Sequence, residues 1–163
     1  MTHQVGDPLD VGFMQLAVDA ASDALRAGNM PFGAVLVQGG QVLQVSSNQR
    51  RTANAGQGDC TAHAEVVLIR EATAAHGPEA LEGGTVYASG EPCAMCSGAL
   101  FWAGVSRIVY AASTQDIIAA LGGRALPVRC HEVLANASPA VRVDGPVLRE
   151  AAVALLRSAV ERS

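Results

Sequence analysis

The chain has 163 residues, of which half are hydrophobic, and a formal net charge of −4. A chain of this length can bury a full apolar core without disulfides, so the composition excludes disordered and fibrous proteins. All eleven basic residues are arginines, and only Arg50 and Arg51 are adjacent. No basic stripe for a nucleic-acid backbone is present, and the charge favours a neutral or zwitterionic small molecule as ligand.

The start of the chain and its apolar runs predict the compartment. The first ten residues lack a basic start followed by an apolar run, so they are not typical of a signal peptide. No stretch approaches the roughly 20 apolar residues of a membrane span. We therefore expect a cytoplasmic protein with reduced cysteines, in which paired cysteines bind metal or act in catalysis.

The first half of the chain predicts a helix, a hairpin and a second helix. Asp10 is the expected N-cap of the first helix, and Gly28 follows its end. The Gly39-Gly40 pair is typical of a hairpin turn, and a polar loop follows the hairpin. From the apolar periodicity, the helices and strands are expected at residues 10–27, 33–37, 42–46 and 61–75.

The second half of the chain alternates strands and helices. Strands are expected at residues 83–90, 107–113 and 140–145, and helices at residues 93–103, 115–121 and 146–162. The last helix has Pro146 at its start, a position that proline favours. This order predicts a single α/β domain over residues 1–163, with a mixed sheet covered by helices on both faces.

Two segments carry side chains that can hold a metal ion. "TAHAEV" contains His63 and Glu65, and "EPCAMC" contains Cys93 and Cys96. Together they give H-x-E followed by P-C-x-x-C, the pattern of zinc nucleobase deaminases. The two cysteines lie on one face of a helix turn, where the positive helix N-terminus favours thiolates. We predict that His63, Cys93 and Cys96 bind Zn²⁺ and leave a fourth position for water.

Glu65 follows His63 by two residues, so we expect it beside the metal rather than bound to it. Its carboxylate can take a proton from water and pass it to a ring nitrogen and then to the leaving amine. Each half of the pattern is weaker without the other, because H-x-E is common and C-x-x-C also fits a redox pair. Both halves in this order favour zinc deaminase chemistry.

Over residues 13–116 the chain resembles the cytidine deaminase-like superfamily, and most closely its guanine deaminase and tRNA adenosine deaminase branch. The resemblance is carried by "PFGAVLV", Asn48, "TAHAEV", "EPCAMCSGAL" and "RIVYAA". It implies a three-layer α/β/α sandwich around a five-stranded mixed sheet, a zinc cofactor and a homodimer. It also implies that His63, Cys93 and Cys96 are the zinc ligands and that Glu65 is the proton shuttle.

The same resemblance implies residues that bind the substrate. Asn48 matches an asparagine that hydrogen-bonds the base, and the backbone amide of Ala64 matches a group that meets a substrate carbonyl. Phe32, Trp102 and Asp116 resemble positions of the guanine-using branch. Each of two residues also has a structural alternative. Trp102 can pack in the core, and Asp116 can cap a helix or place a negative charge in its first turn.

The identity of the substrate is predicted from the resemblance and the charge. Ala94 stands where guanine deaminases often have proline, and the last forty or so residues look more like the tRNA branch. We expect hydrolytic deamination of a free aminated purine or nucleoside, with guanine to xanthine and ammonia as the first choice. The alternatives are a tRNA adenosine deaminase, a cytosine or aminotriazine deaminase and a non-catalytic zinc domain. The acidic charge disfavours a nucleic-acid partner, and the three-ligand set with Glu65 disfavours a purely structural zinc.

Overall fold

The computed structural model describes residues 5–162 and is built around one mixed sheet. The strands are β1 (Gly33–Gln38), β2 (Gln41–Ser47), β3 (Thr85–Gly90), β4 (Arg107–Ala112) and β5 (Arg142–Asp144). Their order in the sheet is β2-β1-β3-β4-β5. Strand β1 is antiparallel to β2 and to β3, whereas β3, β4 and β5 are parallel. In the described part of the chain, no helix has the length and apolar character to cross a membrane.

Helices cover both faces of this sheet. They are α1 (Pro8–Arg26), α2 (Ala64–His76), α3 (Ala94–Trp102), α4 (Thr114–Leu121), α5 (Cys130–Val133) and α6 (Arg149–Glu161), with a short 3₁₀ turn at Asn54–Gly56. Helices α1, α4 and α6 lie on one face, and α2, α3 and α5 lie on the other. The predicted three-layer α/β/α sandwich with a five-stranded mixed sheet is confirmed.

Two apolar clusters, one on each side of the sheet, form the core. In β1, Val35 and Val37 face the cluster under α1 and α6, while Ala34 and Leu36 face the cluster under α2 and α3. This alternation follows from the two-residue period of side chains along a strand. The central strands are therefore apolar on both faces, as expected for strands that helices cover on both sides.

The ends of four strands meet at one edge of the sheet. Gly90 at the end of β3 lies beside Ala112 at the end of β4, because these strands are parallel. Strand β1 runs the opposite way, so Gly33 at its start reaches the same edge, paired with Ser47 at the end of β2. The residues that follow β2, β3 and β4 are consequently neighbours in space, although they are distant in sequence.

Close packing at this edge requires glycine at two positions. A Cβ atom on Gly33 would lie 2.2 Å from the carbonyl oxygen of Ala17 in α1. A Cβ atom on Gly90 would lie 2.7 Å from the ring of Phe32. Both distances are far below a van der Waals contact, so the two glycines let α1 and the Phe32 ring pack directly against the strand ends.

Asp10 is not the N-cap of α1, contrary to the prediction. Asp7 caps the helix, and its side chain accepts a hydrogen bond of 2.8 Å from the Asp10 amide. Asp10 is buried and accepts hydrogen bonds from the Arg107 guanidinium at 2.9 Å and the Tyr87 hydroxyl at 2.7 Å. Burial opposes its ionisation, but these hydrogen bonds outweigh burial and lower the pKa of Asp10. The network ties α1 to β3 and β4.

Two other predicted features of the C-terminal part differ in the structure. The last helix begins at Arg149 rather than at Pro146, because Leu148 adopts a left-handed conformation with φ 56°. The short helix α5 was not predicted, since four residues are too few to show a helical period. The remaining helices and strands lie within three residues of their predicted bounds.

Candidate active site

The structure brings His63, Cys93 and Cys96 together from two helices on one face of the sheet. His63 is the N-cap residue of α2, Cys93 is the N-cap residue of α3, and Cys96 lies in the first turn of α3. The Nδ1 atom of His63 is 3.6 Å from each of the two sulfurs. The ligand atoms of all three side chains lie within 4.8 Å of one another, as a shared metal ion requires.

The chemistry of these three side chains fits zinc. Two sulfurs and one imidazole nitrogen are ligands that Zn²⁺ favours, and three protein ligands are typical of a catalytic rather than a structural site. The Cys96 thiol hydrogen-bonds the Cys93 sulfur, which lowers the pKa of Cys93 to about 4 and raises that of Cys96. Cys93 is therefore a thiolate at neutral pH, the form that binds metal. Cys60 is exposed and Cys130 is buried, and both lie outside this cluster.

Glu65 lies in the first turn of α2, two residues beyond His63, and faces the same cavity. Its side chain is nearly withdrawn from solvent, with 5% of the residue exposed. Burial raises the pKa of the Glu65 carboxyl above its usual range. A raised pKa makes the carboxylate a stronger base, which favours its accepting a proton from water in acid–base catalysis.

A cavity of about 430 Å³ opens over this cluster at the edge of the sheet. His63, Glu65 and Cys93 line it, together with Phe32 and Asn48. Helix α4 supplies an apolar wall, formed by Ile117, Ile118 and Leu121. An apolar cavity of this volume with a few convergent polar groups is typical of a small-molecule site.

Asn48 is buried directly after β2, and two hydrogen bonds hold it in place. Its backbone amide donates to the Phe32 carbonyl at 3.0 Å, and its Oδ1 atom accepts from the Arg50 amide at 3.1 Å. Among residues 5–162, the structure records no hydrogen-bond partner for the Asn48 Nδ2 group. Every fully buried side-chain nitrogen in that range has a partner, so the Nδ2 group is not fully buried. The Asn48 amide donor is therefore accessible from the cavity, where an acceptor on a substrate can reach it.

Not every predicted substrate residue lies in this cavity. Ala64 is buried at the start of α2, between two residues that line the cavity, and the role of its amide stays a prediction. Trp102 is 84% exposed at the end of α3, so the core-packing alternative is wrong for it. It is also not among the residues that line the cavity. Its ring contacts the edge of Phe101, with 5.1 Å between centroids.

Asp116 also lies outside the cavity lining, and its contacts are those of a helix-capping residue. It is the third residue of α4 and forms a reciprocal capping box with Ser113. Its carboxylate accepts a hydrogen bond from the Ser113 amide at 3.0 Å and forms an ion pair with Arg149 of α6. The Arg149 guanidinium lowers the pKa of Asp116. The capping alternative accounts for this residue, and we do not carry it into the proposed site.

Glu91 is a cavity residue that the sequence analysis missed. Its carboxylate is buried and accepts hydrogen bonds from the amides of Thr114 at 2.7 Å and Cys130 at 2.9 Å, and from Arg129 Nε at 2.9 Å. Despite burial, these hydrogen bonds lower the pKa of Glu91. Glu91 thus fixes the starts of α4 and α5 beside the Cys93 segment. Its position directly before the P-C-x-x-C segment could have indicated a residue near the site. Its hydrogen-bond partners are at least 23 residues away in sequence, so local patterns did not predict its role.

The chain is similar in sequence to several deaminases. It is 31% identical over 148 residues to the "Probable cytosine deaminase" of Schizosaccharomyces pombe, and this alignment covers 88% of each of the two proteins. It is 43% identical over 100 residues to a "tRNA-specific adenosine deaminase" of Agrobacterium fabrum, covering 61% of this chain and 63% of that protein. It is 41% identical over 105 residues to a "Guanine deaminase" of Bacillus subtilis, covering 64% and 65%. The matched region is under two thirds of the length of the latter two proteins.

The fold is also that of a solved deaminase structure. The guanine deaminase from Nitrosomonas europaea superimposes with a TM-score of 0.76 over 96% of this chain and 86% of that chain, at 24% identity. Residues 9–112, which contain the His63, Cys93 and Cys96 cluster, match the family described as "Cytidine and deoxycytidylate deaminase zinc-binding region". The chain belongs to this family, and it is a zinc-dependent hydrolytic deaminase.

Proposed function

We propose that the chain deaminates a free purine, with guanine as the first substrate and xanthine and ammonia as the products. One observation carries the proposal, namely that Asn48, Glu65 and two members of the three-ligand cluster, His63 and Cys93, face a single cavity with an apolar wall from α4. The wall suits the faces of a planar heterocycle, and the polar groups at one end suit its edge.

In this proposal His63, Cys93 and Cys96 hold the zinc ion. Zinc bound there supplies the Lewis acidity that makes water a competent nucleophile near neutral pH. Glu65 accepts a proton from the attacking water and delivers it to a ring nitrogen as the water oxygen adds to the amine-bearing carbon. Glu65 then takes the remaining proton of the added water from the new hydroxyl and donates it to the amine, the carbon–nitrogen bond breaks, and ammonia leaves.

Other groups orient the ring for this step. The Asn48 amide donates to an acceptor on the substrate, and the backbone amide of Ala64 donates to its carbonyl oxygen. Phe32 and the α4 wall contact the ring faces and exclude water, which strengthens the polar contacts inside the cavity. Correct orientation of the ring is expected to supply a large part of the rate enhancement.

Cytosine is the second candidate substrate, because the similarity to the Schizosaccharomyces pombe protein extends over 88% of this chain. A tRNA substrate is disfavoured by the net charge of −4 and the absence of lysine. An ammonia-release screen of the zinc-loaded protein over guanine, guanosine, adenine, cytosine, cytidine, an aminotriazine and a tRNA anticodon stem separates these candidates. Guanine should be the fastest, and turnover of cytosine or tRNA with guanine inert would overturn the substrate assignment.

We also propose a homodimer located in the cytoplasm. Trp102 and Met95 expose 84% and 41% of their surface on α3, and exposed apolar side chains on one helix favour a protein interface. The ligand thiols of Cys93 and Cys96 must stay reduced to bind zinc, which favours a reducing compartment. Light scattering after size-exclusion chromatography tests the dimer, and Trp102→Ser should shift the protein toward the monomer mass.

A further inference from the structure

Two arginines lie at the mouth of the active-site cavity. Arg50 follows Asn48 by two residues, and Arg124 lies just beyond the end of α4. Both line the cavity, and both are exposed to solvent. The reaction proposed above gives neither guanidinium a role, because a free purine base carries no anionic group.

Neither arginine has a carboxylate partner within residues 5–162. For Arg50 and Arg124 the structure records no ion pair and no side-chain hydrogen bond over that range. Six of the other nine arginines are paired with acidic side chains, namely Arg26, Arg70, Arg107, Arg129, Arg142 and Arg149. Of the remaining three, Arg51, Arg157 and Arg162, none lines the active-site cavity. Two unpaired guanidinium groups at one cavity mouth are an unusual concentration of positive charge in a chain of net charge −4.

The acidic residues of the cavity do not offset this charge. Glu91 is neutralised by Arg129, whose Nε lies 2.9 Å from the carboxylate. Glu65 lies buried in the interior of the cavity, next to the metal ligands. The interior therefore suits the ring where the chemistry occurs, and the mouth suits an anionic group attached to that ring.

The space around Arg50 accommodates more than a purine ring. A second cavity of about 380 Å³ shares Met30 and Arg50 with the first, and Arg51 also lines it. Asp59 lies in this second cavity, but its carboxylate is engaged by Thr61 and Arg70. A substituent on the ring can extend past Arg50 without meeting a free carboxylate.

We propose that the cavity also accepts aminated purine nucleoside 5′-monophosphates, with Arg50 and Arg124 binding the phosphate; this inference rests on the proposed function. Guanosine 5′-monophosphate and water would give xanthosine 5′-monophosphate and ammonia. The water oxygen forms the new bond to C2, the bond from C2 to the exocyclic nitrogen breaks, and the phosphate does not react. Guanidinium groups bind phosphate through charge-assisted hydrogen bonds, which explains two arginines rather than neutral donors.

The test compares guanosine 5′-monophosphate with guanosine, in turnover by the zinc-loaded protein and in calorimetric binding to the Glu65→Gln protein. The wild type should prefer the monophosphate by at least about tenfold at low salt, the scale of one charge-assisted hydrogen bond. Arg50→Gln and Arg124→Gln should each lower this ratio about tenfold, and added salt should lower it in the wild type. Arg157→Gln, which removes an exposed arginine of α6, is the matched control and should leave the ratio unchanged.

Three outcomes would overturn the proposal. The first is a ratio that neither Arg50→Gln nor Arg124→Gln changes. The second is guanine turnover with no turnover or binding of the monophosphate, which leaves the proposed function standing. The third is turnover of a tRNA stem with the mononucleotide inert, which assigns the arginines to a nucleic-acid strand. If no substrate is deaminated, the proposed function fails, and the binding ratio still decides the role of the arginines.

Discussion

Cys96 is the most deeply buried of the three zinc-binding side chains. It lies in the first turn of α3 with its sulfur 3.6 Å from the His63 Nδ1 atom. Serine at this position offers a hydroxyl, which is a much weaker zinc ligand than a thiolate. We expect Cys96→Ser to lower zinc content, measured by metal analysis, together with ammonia release. Cys60→Ser removes an exposed thiol and should keep zinc, whereas full zinc occupancy in Cys96→Ser would contradict the ligand set.

Asp116 tests the distinction between a substrate contact and a helix cap. Asp116→Asn keeps the size of the side chain but weakens the capping box with Ser113 and the ion pair with Arg149. We expect the free energy of unfolding to fall by about 1 kcal/mol, measured by urea denaturation, with kcat/KM for guanine within about twofold. A large loss of kcat/KM at unchanged stability would instead restore Asp116 to the substrate site.

The sequence predicted which side chains lie together where both belong to the start of one helix, because the spacing along the helix determines their geometry. His63 and Glu65 share the start of α2, and Cys93 and Cys96 share the start of α3, so local sequence brings each pair together. Glu91 was missed because partners more than 20 residues away determine its role. Single-sequence patterns carry no information on such distant pairings.

At the scale of elements, the Asp10–Arg107 pair joins α1 to β4 and is buried. The pKa of Asp10 is lowered in the folded state, so its contribution to stability is complete above its unfolded value of about 3.9 and is lost as the pH falls through the folded value. We expect Asp10→Asn to lower the free energy of unfolding at pH 7 by roughly 2–3 kcal/mol, since it weakens charge-assisted hydrogen bonds to the buried Arg107, which keeps only Asp144 as a charged partner.

Urea denaturation over a pH series measures this effect. The wild type should lose stability as the pH falls below about 4, and Asp10→Asn should show a flatter profile in that range. Asp23→Asn, which breaks an exposed ion pair with Arg26 in the same helix, is the matched control and should change stability by less than about 1 kcal/mol. Equal effects of the two substitutions would contradict the structural role of the buried network.

The element order was predictable because the apolar periodicity changes cleanly from helix to strand. The alternation in β1 and the helical pattern of α2 both reflect burial in the two core clusters. The end of the chain was less predictable, since the left-handed Leu148 delays the start of α6 and α5 has four residues. The strand order and the convergence of strand ends depend on pairing between distant segments, and neither was predicted. The resemblance implied only that the sheet is mixed and has five strands.

At the scale of the whole molecule, the zinc site connects two helices on the same face of the sheet. His63 belongs to α2, and Cys93 and Cys96 belong to α3. A metal that binds the folded state stabilises it by mass action, by about 4 kcal/mol when its free concentration is a thousand times its Kd. We expect chelation of zinc to lower the melting temperature, measured by circular dichroism, and added zinc to restore it. A melting temperature unaffected by chelation would argue against a bound ion in this position.

We propose that one zinc ion held by His63, Cys93 and Cys96 works with Glu65 as the proton carrier. The most direct measurement is zinc content and ammonia release from guanine for the wild type and Glu65→Gln side by side. Glutamine keeps the size and hydrogen bonding of Glu65 but cannot carry a proton, so zinc should stay near one ion per chain while turnover falls by at least about 10²-fold. Near-normal turnover in Glu65→Gln with zinc retained would contradict this account.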